Sequence, residues 1–355
     1  MPPIIVAGGG IAGLEAALRL DRQTGQKIAV VDPGTATTFY PSLHRVLEGK
    51  PLDRVRIDYD TVFDDRRITH IQDEVTGLSP GAHRLHLRDG AMDYDRCVIA
   101  IGSKTSYGSI EGTGNVHDLR FRDDTAAVAE QVASGAVEEV VVVGGGATGV
   151  EAAAALYTAS DGLDRFDITV LEAEDRLLPQ FTGEMGRIVE QDYRRRGIDI
   201  RTGTPVERIE ADRVVLARGG ELASDVTVWA GGIEPHPVIH DLDVEMTDDG
   251  IPVDEHMRAA EDVYVAGDAA TYDGKVDRAF YAIGEARTAA ANIARDRHDR
   301  PLQPHRIGWD PNLVHLGPWD ALFELDGYTW RGRFPALMRR IGVEYRYLWT
   351  RRHLL

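Results

Sequence analysis

Apolar residues occur along the chain in short, mostly β-branched runs, and two of these runs lead into glycine-rich turns. The two runs are Ile4–Val6 and Val140–Val143. Each is followed by an alanine- and leucine-rich segment and then by a second apolar run, at 27–31 or 168–171. Continuous apolar runs of this length are typical of strands that are buried on both faces of a parallel sheet. The pattern therefore predicts two βαβ units.

The periodicity of the remaining sequence predicts further helices and strands. These elements are helices over 42–48, 183–196 and 278–297, a β-rich stretch over 68–87, and strands at 98–101 and 263–266. From Pro301 onward the composition changes, because four of the five tryptophans lie there. A small C-terminal domain is predicted in that region.

Each βαβ unit contains a Gly-x-Gly-x-x-Gly turn, and residues 6–17 are echoed by residues 142–153 as an internal repeat. In such a turn the first glycine permits a tight bend, the second lets a pyrophosphate approach the backbone, and the third lets helix and strand pack closely. The helix that follows offers amide donors and a favourable dipole to the phosphates. The glycines concerned are Gly8, Gly10 and Gly13 in the first unit and Gly144, Gly146 and Gly149 in the second. Both units are predicted to bind dinucleotides.

Each unit also ends its second strand with a carboxylate, Asp32 in the first and Glu172 in the second. A carboxylate at this position binds the ribose hydroxyls of a dinucleotide and repels the 2′-phosphate of NADPH. No arginine follows Glu172 before Arg176. We therefore expect the second unit to select NADH over NADPH.

With two such turns, the chain resembles the flavoproteins of the pyridine nucleotide-disulfide oxidoreductase superfamily. There the N-terminal turn holds FAD and the internal turn holds the nicotinamide nucleotide, so the resemblance implies FAD and NADH as cofactors. Residues 95–103 look like the strand that returns to the FAD domain, and residues 262–269 look like the second FAD motif. The FAD-binding residues implied by these two motifs are Ala100, Gly102, Gly267 and Asp268. Asp268 is expected at the ribityl chain, and a helix N-cap role for it is compatible with that position.

The same resemblance implies that the domains interleave. The FAD domain combines residues 1–112 with 245–300, the NADH domain is inserted at 113–244, and the C-terminal domain spans 301–355. The expected fold class is therefore α/β, with two Rossmann-like three-layer dinucleotide-binding domains plus a small C-terminal domain.

Within the superfamily, the chain resembles the type II NADH dehydrogenases, which pass electrons from NADH through FAD to a membrane quinone. The matching segments are 39–43, 171–173, 177–179 and 228–233, and the last of them implies Gly231 as a cofactor-binding residue. The single cysteine, Cys97, lies within an apolar run and is predicted to be a buried structural thiol. A redox-active cysteine pair is absent, which excludes the disulfide reductases and disfavours sulfide:quinone chemistry.

One segment departs from the type II pattern. That group carries Ala-Gln-x-x-x-Gln at its quinone site, whereas residues 279–284 here read Ala-Phe-Tyr-Ala-Ile-Gly. The candidate residues on the acceptor side are thus Phe280, Tyr281 and Gly284. The two aromatic side chains either stack on a quinone or cover the flavin, or they pack in the core.

The resemblance also implies that Glu151, just after the second turn, orients the nicotinamide carboxamide. The alternative is an ordinary first-turn carboxylate that the helix dipole favours, as Glu15 in the first repeat exemplifies. No metal site is predicted.

The net charge of −18 and the scarcity of lysine, present only at positions 27, 50, 104 and 275, are typical of proteins from salt-loving hosts. General solubility and genome composition are the alternative explanations. So acidic a surface disfavours nucleic acid as a partner. The first apolar strand begins at once and no apolar run reaches the roughly 18 residues of a membrane span, so a cytoplasmic location is expected.

The C-terminal segment reverses this charge, because residues 330–355 contain seven arginines and one acid, Glu344, for a formal charge of +6. Its apolar residues at helical spacing are Phe334, Leu337, Met338, Ile341, Tyr345, Leu348 and Trp349. A helix here is predicted to lie in a bilayer interface while its arginines meet anionic lipid. Those arginines are Arg339, Arg340, Arg346, Arg351 and Arg352. Packing on the FAD domain and a homodimer contact are the alternatives.

The sequence therefore predicts three functions for the protein, in decreasing order of support. The first is a peripheral NADH:quinone oxidoreductase on the inner face of the cell membrane. The second is a soluble NADH-dependent reductase for a protein such as ferredoxin, and the third is a flavin-bearing redox sensor with little turnover. The basic helix favours the first, and the altered segment at 279–284 favours the other two.

Overall fold

The computed structural model describes residues 1–120, 122–275, 279–307 and 311–352, without the side chains of 122, 279 and 343–352. The N-terminal elements are β1 (Ile4–Ala7), α1 (Ile11–Thr24), β2 (Ile28–Val31), β3 (Ala36–Thr38), α2 (His44–Leu47), β4 (Arg56–Asp58), α3 (Tyr59–Phe63), β5 (Ile68–Ile71), β6 (Val75–Ser79), β7 (Arg84–Leu87), β8 (Gly90–Asp93), β9 (Arg96–Ile99) and β10 (Ser103–Thr105).

The central elements are β11 (His117–Asp118), α4 (Arg122–Ser134), β12 (Glu139–Val143), α5 (Ala147–Ala159), β13 (Asp167–Leu171), α6 (Gly183–Arg196), β14 (Asp199–Arg201), β15 (Val206–Ile209), β16 (Arg213–Leu216), β17 (Glu221–Ala223), β18 (Val226–Trp229) and β19 (Ile233–Pro235). The last elements are β20 (Ile251–Pro252), β21 (Arg258–Ala260), β22 (Val263–Val265), β23 (Ala270–Thr271), α7 (Ala279–Asp296), β24 (Asn312–Gly317), β25 (Asp320–Leu325), β26 (Tyr328–Gly332) and α8 (Arg333–Arg352).

The first βαβ unit lies at the centre of a six-stranded sheet with the order β21-β22-β9-β1-β2-β5. Neighbouring strands in this sheet pair in parallel, except that β21 is antiparallel to β22. β1 and β2 are buried along their whole length, and α1 packs against α7. Strands from before residue 112 and from after residue 245 therefore share one sheet. We refer to it, with the elements packed on it, as the first half.

The second βαβ unit lies in a five-stranded, all-parallel sheet with the order β11-β18-β12-β13-β14. A small antiparallel sheet, β15-β16-β17, lies beside it. We call these elements the second half. The predicted fold class, α/β with two Rossmann-like dinucleotide-binding domains, is confirmed by the two sheets.

The chain crosses between the halves twice, and the two crossing segments are paired. β10 and β19 form an antiparallel ribbon in which Lys104 lies opposite Glu234. The Lys104 ammonium lies 2.8 Å from the Glu234 carboxylate, and the Ser106 hydroxyl donates to the same carboxylate at 2.8 Å. The two halves are thus joined by hydrogen-bonded strands and not by a single linker.

The C-terminal sheet, β24-β25-β26, packs on the second half through α5, and α8 packs on β25. Val314, Leu316 and Leu322 are fully buried in the core that surrounds β12 and α5. Arg331 donates to Asp192 of α6 at 2.6 Å and also pairs with Asp320. The C-terminal region is therefore fastened to both α5 and α6 of the second half.

The predicted elements differ from the observed ones mainly at helix ends. α6 has the predicted bounds, whereas the helix predicted over 42–48 is divided into a 3₁₀ turn at Tyr40–Ser42 and the short α2. Pro41 lies in the first turn of the 3₁₀ segment, and Gly49, with φ of 79°, follows the helix end. Cys97 is buried and unpaired, as predicted, and burial raises the pKa of its thiol.

Candidate functional site

A cleft of about 1230 Å³ opens between the two halves, at the carboxyl ends of β1 and β12. Residues that the sequence singled out line it from both sides. Those from the first half are Gly8, Gly10, Asp32, Ala100, Gly102, Gly267, Asp268 and Phe280. Those from the second half are Gly144, Gly146, Glu151, Glu172 and Gly231. The structure thus brings both glycine turns and both carboxylates to one space.

The glycines of the first turn have two different roles, close packing of the backbone and access for a ligand. A Cβ on Gly8 would lie 2.2 Å from the Ala100 carbonyl oxygen, and a Cβ on Gly13 would lie 1.9 Å from the Gly8 carbonyl oxygen. A Cβ on Gly10 would meet no atom within 4 Å, because this position faces the cleft. Gly8 and Gly13 are therefore needed for packing, and Gly10 leaves room for a ligand.

The second turn repeats this arrangement. A Cβ on Gly144 would lie 2.4 Å from the Ala230 carbonyl oxygen, and one on Gly149 would lie 1.8 Å from the Gly144 carbonyl oxygen. Gly146 faces the cleft, where only the Gln180 side chain approaches its Cβ position, at 3.4 Å. Neither α1 nor α5 has a side-chain N-cap, so the first amides of both helices are available to phosphate oxygens. Both turns fit a dinucleotide.

Each of the two acidic residues holds its glycine turn in place through the glycine that lies between the first and second glycines of the motif. The Asp32 carboxylate accepts the Gly9 amide at 2.7 Å, and the Glu172 carboxylate accepts the Gly145 amide at 2.6 Å. The second oxygen of each accepts an amide two residues further on, from Gly34 or Glu174, at 2.9 Å. A carboxylate has about four acceptor positions, so each keeps capacity for ribose hydroxyls.

The Arg176 guanidinium is hydrogen-bonded to backbone carbonyl oxygens and does not supply a site for a 2′-phosphate. Its guanidinium donates to the carbonyl oxygens of Leu178, Pro179 and Phe181, at 2.7–3.1 Å. Its charge therefore stabilises the loop after β13, whereas Glu172 lines the cleft.

Asp268 belongs to a polar network that the sequence did not reveal. Its carboxylate accepts the Ser103 hydroxyl, and Arg120 donates to the same hydroxyl at 2.8 Å. Asp268 lies in the turn between β22 and β23, so the helix N-cap reading is wrong. Buried Glu285 of α7 accepts the Gly267 amide at 2.7 Å and the Tyr272 hydroxyl at 2.7 Å. Burial raises the pKa of Glu285.

Tyr59 is a second residue that the sequence did not single out. Its hydroxyl donates to the Gly9 carbonyl oxygen at 3.0 Å, and the side chain is buried beside the cleft. A Cβ on Gly9 would lie 2.3 Å from this hydroxyl, so the middle glycine of the turn is needed here as well.

The family model that matches residues 2–290 is described as pyridine nucleotide-disulphide oxidoreductase. The chain belongs to this family. The type II NADH:quinone oxidoreductase of Haemophilus influenzae is 25% identical over 92% of this chain and 87% of its own length. Putidaredoxin reductase CamA of Pseudomonas putida is 28% identical over 77% of this chain and 68% of its own length.

Among solved structures, NDH2 from Plasmodium falciparum in complex with NADH superimposes with a TM-score of 0.88. It covers 99% of this chain and 96% of its own, at 17% sequence identity, and so supports the fold alone. The family match confirms the predicted resemblance to the pyridine nucleotide-disulfide oxidoreductases. The predicted cofactors, FAD and NADH, and the predicted enzyme class, an FAD-dependent NADH dehydrogenase, are also confirmed. The chain is an NADH-dependent flavin oxidoreductase of this family.

On the acceptor side, the structure separates the three predicted residues. Phe280 is 57% exposed and lines the cleft. Tyr281 is buried, and Gly284 faces His305, which lies 3.4 Å from its Cβ position. Of the three, Phe280 alone lines the cleft.

Glu151 is engaged by the C-terminal region. One carboxylate oxygen accepts the His315 amide at 2.9 Å and the Arg339 guanidinium at 2.8 Å, and the other lies 3.8 Å from His44 Nδ1. Arg339 therefore faces inward, toward Glu151, and not outward from α8 as the sequence predicted.

Glu15, the residue at the equivalent position of the first repeat, is buried and pairs with Arg287 of α7 at 2.7 Å. Neither α1 nor α5 has an acid in its first turn, so the reading of these glutamates as first-turn carboxylates is wrong. Each glutamate ties its nucleotide-binding helix to a later helix.

Glu151→Gln is expected to lower the rate of flavin reduction by NADH roughly 10- to 100-fold, the value of a hydrogen bond to a charged group. The amide oxygen still accepts from His315, so the unfolding midpoint is expected to change little. Stopped-flow absorbance gives the rate, and Glu15→Gln is the control at the equivalent position of the first repeat. An unchanged rate would remove the proposed role in orienting nicotinamide.

Gly10→Ala and Gly13→Ala are expected to fail for different reasons. Alanine at position 10 leaves the fold intact but lowers the ratio of bound flavin to protein, because its methyl group enters the cleft. Alanine at position 13 overpacks the turn and lowers the free energy of unfolding by about 1–3 kcal/mol. Flavin absorbance and urea unfolding separate the two effects, and full flavin occupancy in Gly10→Ala would contradict the assignment.

The wild type is expected to prefer NADH, and Glu172→Gln is expected to reduce that preference. Removal of the charge takes away repulsion of the 2′-phosphate, while the remaining oxygen still accepts the Gly145 amide. The ratio of kcat/KM for NADH to that for NADPH is expected to fall roughly 10-fold or more. Comparable turnover of the wild type with both cofactors would refute the assignment.

Proposed function

We propose that this protein is a peripheral NADH:quinone oxidoreductase. The observation that carries the proposal is an exposed apolar stripe on α8, next to a cleft that holds both nucleotide turns. The similarity to an enzyme named type II NADH:quinone oxidoreductase supports the choice of acceptor.

The chemistry that bound FAD supplies is acceptance of a hydride from nicotinamide and onward transfer of electrons. The residues of the chain bind and orient the reactants. Asp32 and Asp268 would hold the FAD, Glu172 and the turn at Gly144 would hold NADH, and Glu151 would position the nicotinamide. No side-chain acid or base is required for the hydride step.

The apolar stripe on α8 is formed by Phe334, Leu337 and Ile341, which are 71%, 45% and 59% exposed. Trp319 and Trp330, at 51% and 50%, extend it onto the C-terminal sheet. Spacings of three and four residues place the stripe on one face of the helix. Exposed apolar side chains grouped on one helix face are typical of membrane and protein contacts.

Arginines border this stripe. Arg333 and Arg340 lie 5.7 Å and 5.4 Å from the ring centre of Trp319. The combination of exposed aromatic rings and guanidinium groups fits the interface of an anionic bilayer. The side chains of Tyr345, Arg346, Leu348, Trp349, Arg351 and Arg352 lie outside the described residues. In the part of the chain that the structure describes, no helix has the length and apolar character to cross a membrane.

A soluble reductase for a ferredoxin-like protein is the second candidate. The exposed Phe280 at the cleft, in place of the glutamine expected of type II enzymes, favours it. The relative named putidaredoxin reductase also supports this reading. A flavin-bearing sensor with slow turnover is the third candidate, and the stripe also fits a homodimer contact.

We further propose the domain bounds 1–112 with 245–300, 113–244 and 301–355, a location on the inner face of the cell membrane, and a salt-loving host. The acidic charge of −18 supports the host proposal. A stability optimum in dilute buffer would count against it.

The acceptor is tested with purified holoenzyme in high salt. NADH oxidation is compared with a menaquinone analogue, a ferredoxin and oxygen as acceptors, and the quinone is expected to give the highest kcat/KM. The fastest turnover with ferredoxin would favour the second candidate. Slow flavin reduction by NADH itself, followed by stopped flow, would favour the sensor.

Membrane contact is tested by sedimentation with anionic vesicles. The triple variant Phe334→Ser, Leu337→Ser, Ile341→Ser is expected to bind vesicles at least 10-fold more weakly. Each substitution removes an apolar side chain whose burial in the bilayer contributes roughly 1.5 kcal/mol or more to binding. Ile307→Ser, at an exposed apolar residue outside the stripe, is the control for loss of one apolar side chain. Retention of the wild type in the soluble fraction at low salt would support packing or dimer contact instead.

A further inference from the structure

A second cavity, of about 480 Å³, lies between α2 and the C-terminal region and has strongly basic walls. Its cationic lining residues are Arg45, Lys50, Arg54, Arg339 and Arg340, and Glu48 is its one acidic lining residue among those the structure describes. The whole chain carries a net charge of −18, so this concentration of positive charge is contrary to its average. Such a cavity raises the local concentration of anions.

The one carboxylate in the cavity wall is already paired. Glu48 lies 2.7 Å from His315 Nε2, so part of its charge is offset within the wall. Arg339 pairs with Glu151 on the opposite side and retains further donors, since a guanidinium has five N–H groups. The wall therefore presents a positive field to the interior of the cavity.

A buried donor position in the same wall has no partner. His44 is 8% exposed, and its Nε2 atom is buried without a hydrogen-bond partner. Buried polar atoms are nearly always paired, so an orphan of this kind marks a place where a ligand or water belongs. His44 lines this cavity, and with a proton on Nε2 its ring is a donor for an anion whose oxygen reaches that atom.

The same residues also allow a different ligand. His44, Glu48 and His315 offer three metal-ligand atoms within 4.8 Å of one another. Two imidazoles and a carboxylate are a donor set that Zn²⁺ accepts. Five cationic side chains on the same wall oppose a dication, however, and favour an anion.

The surroundings of the cavity indicate the source of the anion. Ala336, Arg339 and Arg340 of α8 line it, and Trp319 lies at its edge. The exposed apolar stripe runs along the same helix. An amphiphile whose charged group occupies the cavity would thus lay its apolar part against the exposed ring of Trp319 at the cavity edge.

We propose that this basic cavity binds a phosphate group, and that its source is the headgroup of an anionic phospholipid. Cationic side chains and the donor at His44 would hold the phosphate oxygens. The choice of lipid as the source rests on the proposed function at a membrane, whereas the phosphate site itself stands on the cavity alone.

The test uses the FAD-loaded full chain and two arms. In the first, isothermal titration calorimetry measures binding of inorganic phosphate in a chloride buffer, and one site per chain is expected. In the second, sedimentation is measured with vesicles of phosphatidylcholine that contain phosphatidylglycerol or, at equal charge, oleate. Tighter binding to phosphatidylglycerol than to oleate is expected, because oleate has no phosphate.

The variant Lys50→Gln, Arg54→Gln removes two exposed cations from the cavity wall and leaves the core untouched. It is expected to lose phosphate binding and to weaken binding to phosphatidylglycerol roughly 30-fold, about the effect of two cations near an anionic surface. The matched control is Arg187→Gln, Arg194→Gln on the exposed face of α6. The control is expected to bind phosphate as the wild type does.

The outcomes separate the site from its ligand source. Phosphate binding without vesicle binding would support the cavity as a site for a free phosphate compound and would count against the membrane function. Equal loss in the α6 control would show a general charge effect and overturn the site. Stoichiometric Zn²⁺ binding, lost in Glu48→Gln, with no phosphate binding would also overturn it.

Discussion

One hydrogen bond in each half organises the site, namely the bond from a glycine-turn amide to the carboxylate at the end of the next strand. Asp32 holds Gly9 and Glu172 holds Gly145 in this way. The bond fixes the turn against the strand edge, so the helix behind it starts at a set place and points its amides into the cleft. The turn and the first helical amides are thereby held where they would meet the phosphates of a dinucleotide. The bond occurs in both repeats, and both turns face the same cleft.

The residues that made this arrangement predictable are close together in sequence. The spacing of Gly8, Gly10 and Gly13 and the position of Asp32 are local properties of one βαβ unit, and β-branched runs identify strands without reference to the rest of the fold. Family resemblance then extended the reading to residues 262–269. The periodicity of α6 was long enough to define both of its ends, and the uninterrupted apolar run around Cys97 was sufficient to predict its burial.

Other parts of the site depend on contacts between distant segments, which no local pattern reports. Glu285 supports Gly267, Arg120 reaches Ser103, and Tyr59 closes over Gly9. The error at Arg339 was of a different kind. It lies two residues from both Leu337 and Ile341, so helical geometry places it on the face opposite the stripe, toward the protein. The net positive charge of the segment does not distinguish the arginines on one face of the helix from those on the other.

Arg339 is shared by two cavities, since it lines the nucleotide cleft and also the basic cavity beneath α8. A guanidinium that serves both cannot satisfy each independently. If Glu151 orients the nicotinamide as proposed, a ligand in the basic cavity that drew this group away from Glu151 would change the binding free energy of the nicotinamide nucleotide. By thermodynamic linkage, the nucleotide must change the affinity of that ligand by the same factor. On the proposed roles of Glu151 and of the basic cavity, occupancy of one cavity would thus be felt at the other through a single side chain.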